Sequence, residues 1–147
     1  MKDSDKIKVV FTTVFTAIHG ALGSLAIPFY ILVAVNIIDY FTGIYAAKCR
    51  GERVSSNVGF HGIAKKVCMW LLVLIGVIVD CIVVMMTATL HIEFGFSNLV
   101  AIAVALWLVA NEIISVLENI SDIGTPLPPF LLKITQLVRD SAQLDGK

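Results

Sequence analysis

Charge is what this sequence has least of. Only 15% of its 147 residues are Asp, Glu, Lys or Arg, against roughly a quarter in a typical soluble domain. None of the four occurs between Val9 and Ile38. So few charges cannot cover the surface of a soluble enzyme. The 11 basic and 11 acidic residues balance, so there is no basic excess of the kind that draws a chain to nucleic acid. Cysteine is equally sparse. Cys49, Cys68 and Cys81 are odd in number and form no C-x-x-C, which argues against a disulfide framework or a thiolate zinc site. No Ser/His/Asp or Cys/His set stands together, and His19 and His61 have no second ligand at metal spacing. Gly59-Phe60-His61-Gly62 is glycine-rich, but it lacks the preceding strand and the pattern of a phosphate loop. The chain is therefore expected to be no enzyme and to hold no cofactor or metal.

What is present is apolar. Hydrophobic residues make up 58% of the chain and its mean hydropathy is +0.90. As one helix, the uncharged stretch from Val9 to Ile38 would run about 45 Å, too long for a hydrocarbon core of about 30 Å. Gly20, Gly23, Ser24 and Pro28 predict a break between residues 20 and 28. The first piece, residues 5–22, carries Thr12, Thr16 and His19 on one helical face. It either lies in the membrane interface as an amphipathic helix or crosses with that face turned inward. With Lys2, Lys6 and Lys8 before it, the piece also looks like a secretory signal, and it is expected to be retained rather than cleaved. Spans are expected at 26–47, 67–90 and 96–117, with a basic loop at 48–66, a turn around His91, Glu93 and Gly95, and a tail at 126–147. Gly124, Pro126, Pro128 and Pro129 stop the last span. From Phe130 to Arg139 the pattern is that of a short amphipathic helix. The expected fold is an all-α integral membrane domain with three or four transmembrane helices, four slightly favoured, plus this C-terminal amphipathic helix.

Orientation follows from Lys48, Arg50, Arg53, Lys65 and Lys66 against the single acid Glu52. The positive-inside rule puts the 48–66 loop and the C-terminus in the cytoplasm. The informative residues are polar groups inside the apolar runs, because such groups are costly there and mark a function or a partner. Asp80 falls near the middle of its span, sharing a face with Gly76, Val84 and Thr87. It is expected either on a face turned to water or another helix's polar groups, or hydrogen-bonded inside the bundle. Asn36, Asp39 and Gly43 neighbour one another on the second span, and Asp39 is placed to pair with a loop lysine or arginine. The last span ends in Asn111, Glu112, Ser115, Glu118 and Asn119.

Three stretches, taken together, carry a resemblance. They are Asp39-Tyr40-Phe41-Thr42-Gly43 with Ala47-Lys48; Ser55-Ser56 followed by Gly59, Gly62-Ile63 and Lys65-Lys66; and Asn111-Glu112 through Ser115, Leu117-Glu118-Asn119, Gly124 and Pro126-Leu127-Pro128. In that order and spacing the chain resembles, from about residue 25 to residue 132, the phage-lysis and toxin-secretion holins of Gram-positive bacteria and their phages. The resemblance implies a multi-pass protein of the bacterial cytoplasmic membrane. Its partners would be the lipid bilayer and further copies of itself, and its pore would release an endolysin or a toxin as cargo that it does not stably bind. The tail departs from the strongly basic tails common among holins. On this reading the Thr12, Thr16 and His19 face lines the opening, while Asp80 and the 111–119 cluster hold subunits in register. The competing reading is a small ion- or proton-coupled transporter, or a membrane subunit of one, using Asp39 and Asp80 as relay groups.

Overall fold

The computed structural model describes residues 3–52, 56–92, 95 and 97–144, and the side chains of all of these except 56–58 and 138–144. Lys2, Arg53, Ser55 and Glu93 lie outside the described residues, as do the side chains of Ser56 and Arg139. The described chain is helical throughout: α1 (Asp3–Leu22), a 3₁₀ turn (Gly23–Leu25), α2 (Ala26–Cys49), α3 (Ser56–Thr89), α4 (Leu99–Asp122) and α5 (Pro129–Leu144). In lipid this is the expected solution, because a helix satisfies its own backbone polar groups where no water can.

The predicted break is an elbow. Gly23 has φ +53°, a left-handed conformation that glycine adopts at little cost. Pro28 falls in the first turn of α2, where its missing N–H would have no helical partner anyway. Beyond the elbow α1 leaves the bundle, and every residue from Asp3 to Ala21 is exposed.

The other three long helices pack together. Ser24 meets Ser97 at one end and Asn119 meets Asp39 near the other, so α2 and α4 run parallel, with α3 antiparallel to both. The interior is small: Leu25, Leu32, Met69, Val73, Ala101, Ala105, Leu108 and Val109. Outward-facing Leu71, Leu74, Ile75 and Ile78 remain exposed, which suits a bundle whose solvent is lipid. Close approach takes the place of hydrophobic burial, as small residues allow in membranes. A Cβ at Gly76 would sit 2.8 Å from the Ala101 Cα, so only glycine lets α3 and α4 touch there.

Three helical stretches are long and apolar enough to cross a membrane: Asp3–Cys49, Gly59–Thr89 and Leu99–Asp122. By that measure α1 and α2 form one stretch, giving three candidate spans where the sequence slightly favoured four. The 48–66 segment is not all loop, since α3 begins at Ser56. Gly59, Gly62, Lys65 and Lys66 read as irregular in isolation, but they form the first turns of a 34-residue helix whose inner stripe continues through Met69 and Val73. The last span likewise starts at Leu99 and reaches Asp122, later at both ends than expected.

A buried polar cluster joining three helices as the candidate functional site

Each of the three spans contributes a charged side chain to one cluster. Lys66 of α3 donates to Asp39 of α2 at 2.8 Å and to Glu112 of α4 at 2.5 Å. The three side chains are well buried, at 12%, 19% and 1% exposure. Two carboxylates against one ammonium leave a negative balance, which neutral donors share. Asn119 donates to Asp39 Oδ1 at 3.0 Å and to Thr42 Oγ1 at 3.2 Å. With its amide turned so that both ends are satisfied, Asn36 donates to Glu112 at 2.8 Å and accepts from Trp70 Nε1 at 3.0 Å. The expected pairing of Asp39 with a basic residue is thus made by Lys66. Such a set is held by geometry, because buried charges repay their desolvation only when each is paired and hydrogen-bonded.

Helical spacing explains the convergence. Asn36, Asp39 and Gly43 follow one another at steps of three and four on α2, and so do Gly62, Lys66, Met69 and Val73 on α3, so each set forms one stripe. Gly43 passes Asn119, and Gly59 and Gly62 lie along the Tyr40 side chain. Between α2 and α3 this leaves a cleft of about 160 Å³, walled by Tyr40, Ile44, Ala47, Gly59 and Gly62 with Lys65 and Lys66.

Asp80 belongs elsewhere. It is buried at 7% exposure, and its two oxygens accept the backbone N–H groups of Val100 at 2.9 Å and Ala101 at 2.8 Å. Those are orphan donors in the first turn of α4. The residue before that helix, Asn98, makes no side-chain cap, so α3 supplies the acceptor that α4 lacks. A negative group there also meets the positive end of the helix dipole. The sequence placed Asp80 near mid-membrane, but its partner is a helix end, which puts it at the opposite end of the bundle from Lys66. The face it was expected to share holds only to that point: Gly76 and Asp80 are buried, whereas Val84 is exposed and Thr87 bonds to its own helix backbone.

At the Lys66 end, Arg50 closes the assembly. It clasps Glu52 through Nε at 2.7 Å and reaches Asp122 of α4 at 2.5 Å. The hydrogen bond to Glu52 raises the Arg50 pKa above its ordinary value, and the same bond holds the Glu52 carboxyl below the usual carboxylate range. Asn111 and Ser115 lie half-buried on α4 and make none of these bonds. Glu118 borders a small cleft with Asp122, Leu132 and Thr135 beneath α5. Thr12, Thr16 and His19 are exposed on α1, apart from the cluster. The His19 ring stacks on Phe15 at 6.3 Å and on Tyr30 at 6.1 Å. His61 is exposed, and Cys49, Cys68 and Cys81 are exposed free thiols. Trp70 was missed from the sequence. It stands four residues after Lys66, one helical turn on, and an indole N–H in lipid needs an acceptor. Within the chain, Asp80, Glu112 and Asn119 all have hydrogen-bond or ion-pair partners.

The profile of the bacteriophage holin family matches residues 16–140. An uncharacterised protein of Listeria monocytogenes is 36% identical over 118 residues, 80% of this chain and 76% of the relative. One from Clostridium perfringens is 33% identical over 127 residues, 86% of this chain and 84% of the relative. A probable holin of Bacillus phage phi105 is 26% identical over 101 residues, 69% of this chain and 66% of that protein. No solved structure matches the chain.

Proposed function

The chain belongs to the bacteriophage holin family, and from that premise we propose that it acts as a holin in the bacterial cytoplasmic membrane. Copies accumulate, assemble and open a lesion through which an endolysin, or a toxin in a secretion setting, reaches the cell wall. The observation that carries this reading is convergence: Asp39, Lys66, Glu112 and Asn119, drawn from the three stretches that carry the holin resemblance, meet in one hydrogen-bonded cluster. In this proposal the cluster keeps the three spans of each copy together. The basic end of the bundle, with Lys48, Arg50 and Lys65, faces the cytoplasm, and so does the C-terminus.

A proton relay between Asp39 and Asp80 draws no support from the geometry. Both Asp80 oxygens are taken by the α4 backbone, and buried Met69 and Val73 stand between the two acids. The test is induction in a Gram-positive host with and without a co-expressed soluble endolysin. A holin gives abrupt loss of membrane potential in both cultures and lysis only with the enzyme. Steady potential and continued growth in both cultures would refute the reading.

A further inference from the structure

The largest uncovered face in the molecule belongs to α1. At 100° per residue, Ile7, Val10, Phe11, Val14, Phe15 and Ile18 fall on one arc of the helix. Asp5, Thr12, Thr13 and Thr16 fall on the other. Lys6 and Lys8 stand at the two borders between them. The apolar arc meets almost nothing, with Phe11 71% and Ile7 69% exposed. The helix touches the bundle only near its C-terminal end, where Phe15 stacks on Tyr30 at 5.6 Å. The elbow is tied to the start of α4: Asn98 donates to the Leu22 carbonyl at 3.2 Å, and Ser24 donates to the Ser97 carbonyl at 3.3 Å. So α1 leaves the bundle at the level where α4 begins and the α3–α4 turn emerges.

We propose that α1 lies flat in the membrane surface at that end of the bundle, with its apolar arc sunk among the lipid chains and its threonines in water. Lipid is the occupant that the pattern fits. Just past the elbow, Ile27 and Ile31 of α2 are exposed apolar side chains too. Border lysines suit a helix lying in the interface, since their stems can cover apolar surface while their heads reach the phosphates; Lys6 is exposed and stands 3.4 Å from Asp3. A crossing α1 would instead carry Thr12, Thr13, Thr16 and His19 into hydrocarbon. Among the described residues none of these hydrogen-bonds to another helix. In the proposed pose the polar face looks onto the aqueous phase rather than into a channel. The inference does not depend on lesion formation and is read without any lysis assay.

Single cysteines in a Cys49→Ala, Cys68→Ala, Cys81→Ala background, reconstituted into vesicles of phosphatidylethanolamine and phosphatidylglycerol, test it. Ser4→Cys and Gly95→Cys are expected to react with an impermeant maleimide from the same side of the membrane. A scan over residues 5–19 is expected to give accessibility to an aqueous quencher with a period of 3.6, high at Thr12 and Thr16 and several-fold lower at Phe11 and Val14. Labelling of positions 4 and 95 from opposite sides would mean that α1 crosses, and would overturn the proposal. Same-side labelling with Phe11→Cys and Val14→Cys cross-linking between copies, and shielded from a lipid-soluble quencher, would mean that a second copy covers the arc. That result would overturn it as well.

Discussion

Lys66 satisfies two carboxylates on two other helices, and no other described cation reaches either of them. Removing it strands two acids in a dry interior, a loss that costs about 3–5 kcal/mol when one partner of a buried pair is deleted. Lys66→Met is therefore expected to lower the unfolding midpoint of the detergent-extracted protein sharply. Adding Asp39→Asn and Glu112→Gln to that variant should restore much of the loss, because neutral amides tolerate burial better than unpaired charges. An equal loss in the single and triple variants would show that packing, not charge, holds the site. Asp80→Asn keeps one acceptor oxygen and forfeits the other, at a cost of about 1–3 kcal/mol, and Asp80→Leu, which keeps neither, should fall further. Partner identity was legible for Asp39, since an acid near a basic segment implies a pair. It was not legible for Asp80, because its partners are backbone N–H groups whose position depends on how α3 lies against α4.

The sequence marks helices better than it marks where they stop. The apolar runs announced α2, α3 and α4, and Gly23 with Pro28 announced the elbow, yet the first turns of α3 read as loop. Their glycines and lysines have low apolar content, and nothing local says that a tyrosine and two acids on other helices await them. The same blindness hides Gly76, which looks like an ordinary packing glycine until Ala101 is placed against it. Gly76→Ala is expected to push α3 from α4 and cost about 1–3 kcal/mol as an overpacking change, and Gly76→Leu more. A thermal melt of each variant in detergent checks this, and an unchanged midpoint for Gly76→Leu would mean that the two helices do not touch there in solution.

For the whole molecule, membrane residence and helical class were legible from composition alone, because 58% hydrophobic residues with 15% charge permit little else. The number of crossings was not, since a 20-residue α1 is long enough either to span or to lie flat. One dimension of the bundle carries a mechanical consequence. Lys66 and Asp80 mark two polar levels in its interior, and the fourteen residues from one to the other rise about 21 Å. Both are enclosed, and the outer face of α3 between them carries exposed Leu71, Leu74, Ile75 and Ile78, so α3 is fastened inward at two levels while it meets lipid with apolar side chains. Sliding α3 along its axis would break the buried ion pair and the helix cap at once, so the bundle should resist shear as a single rod.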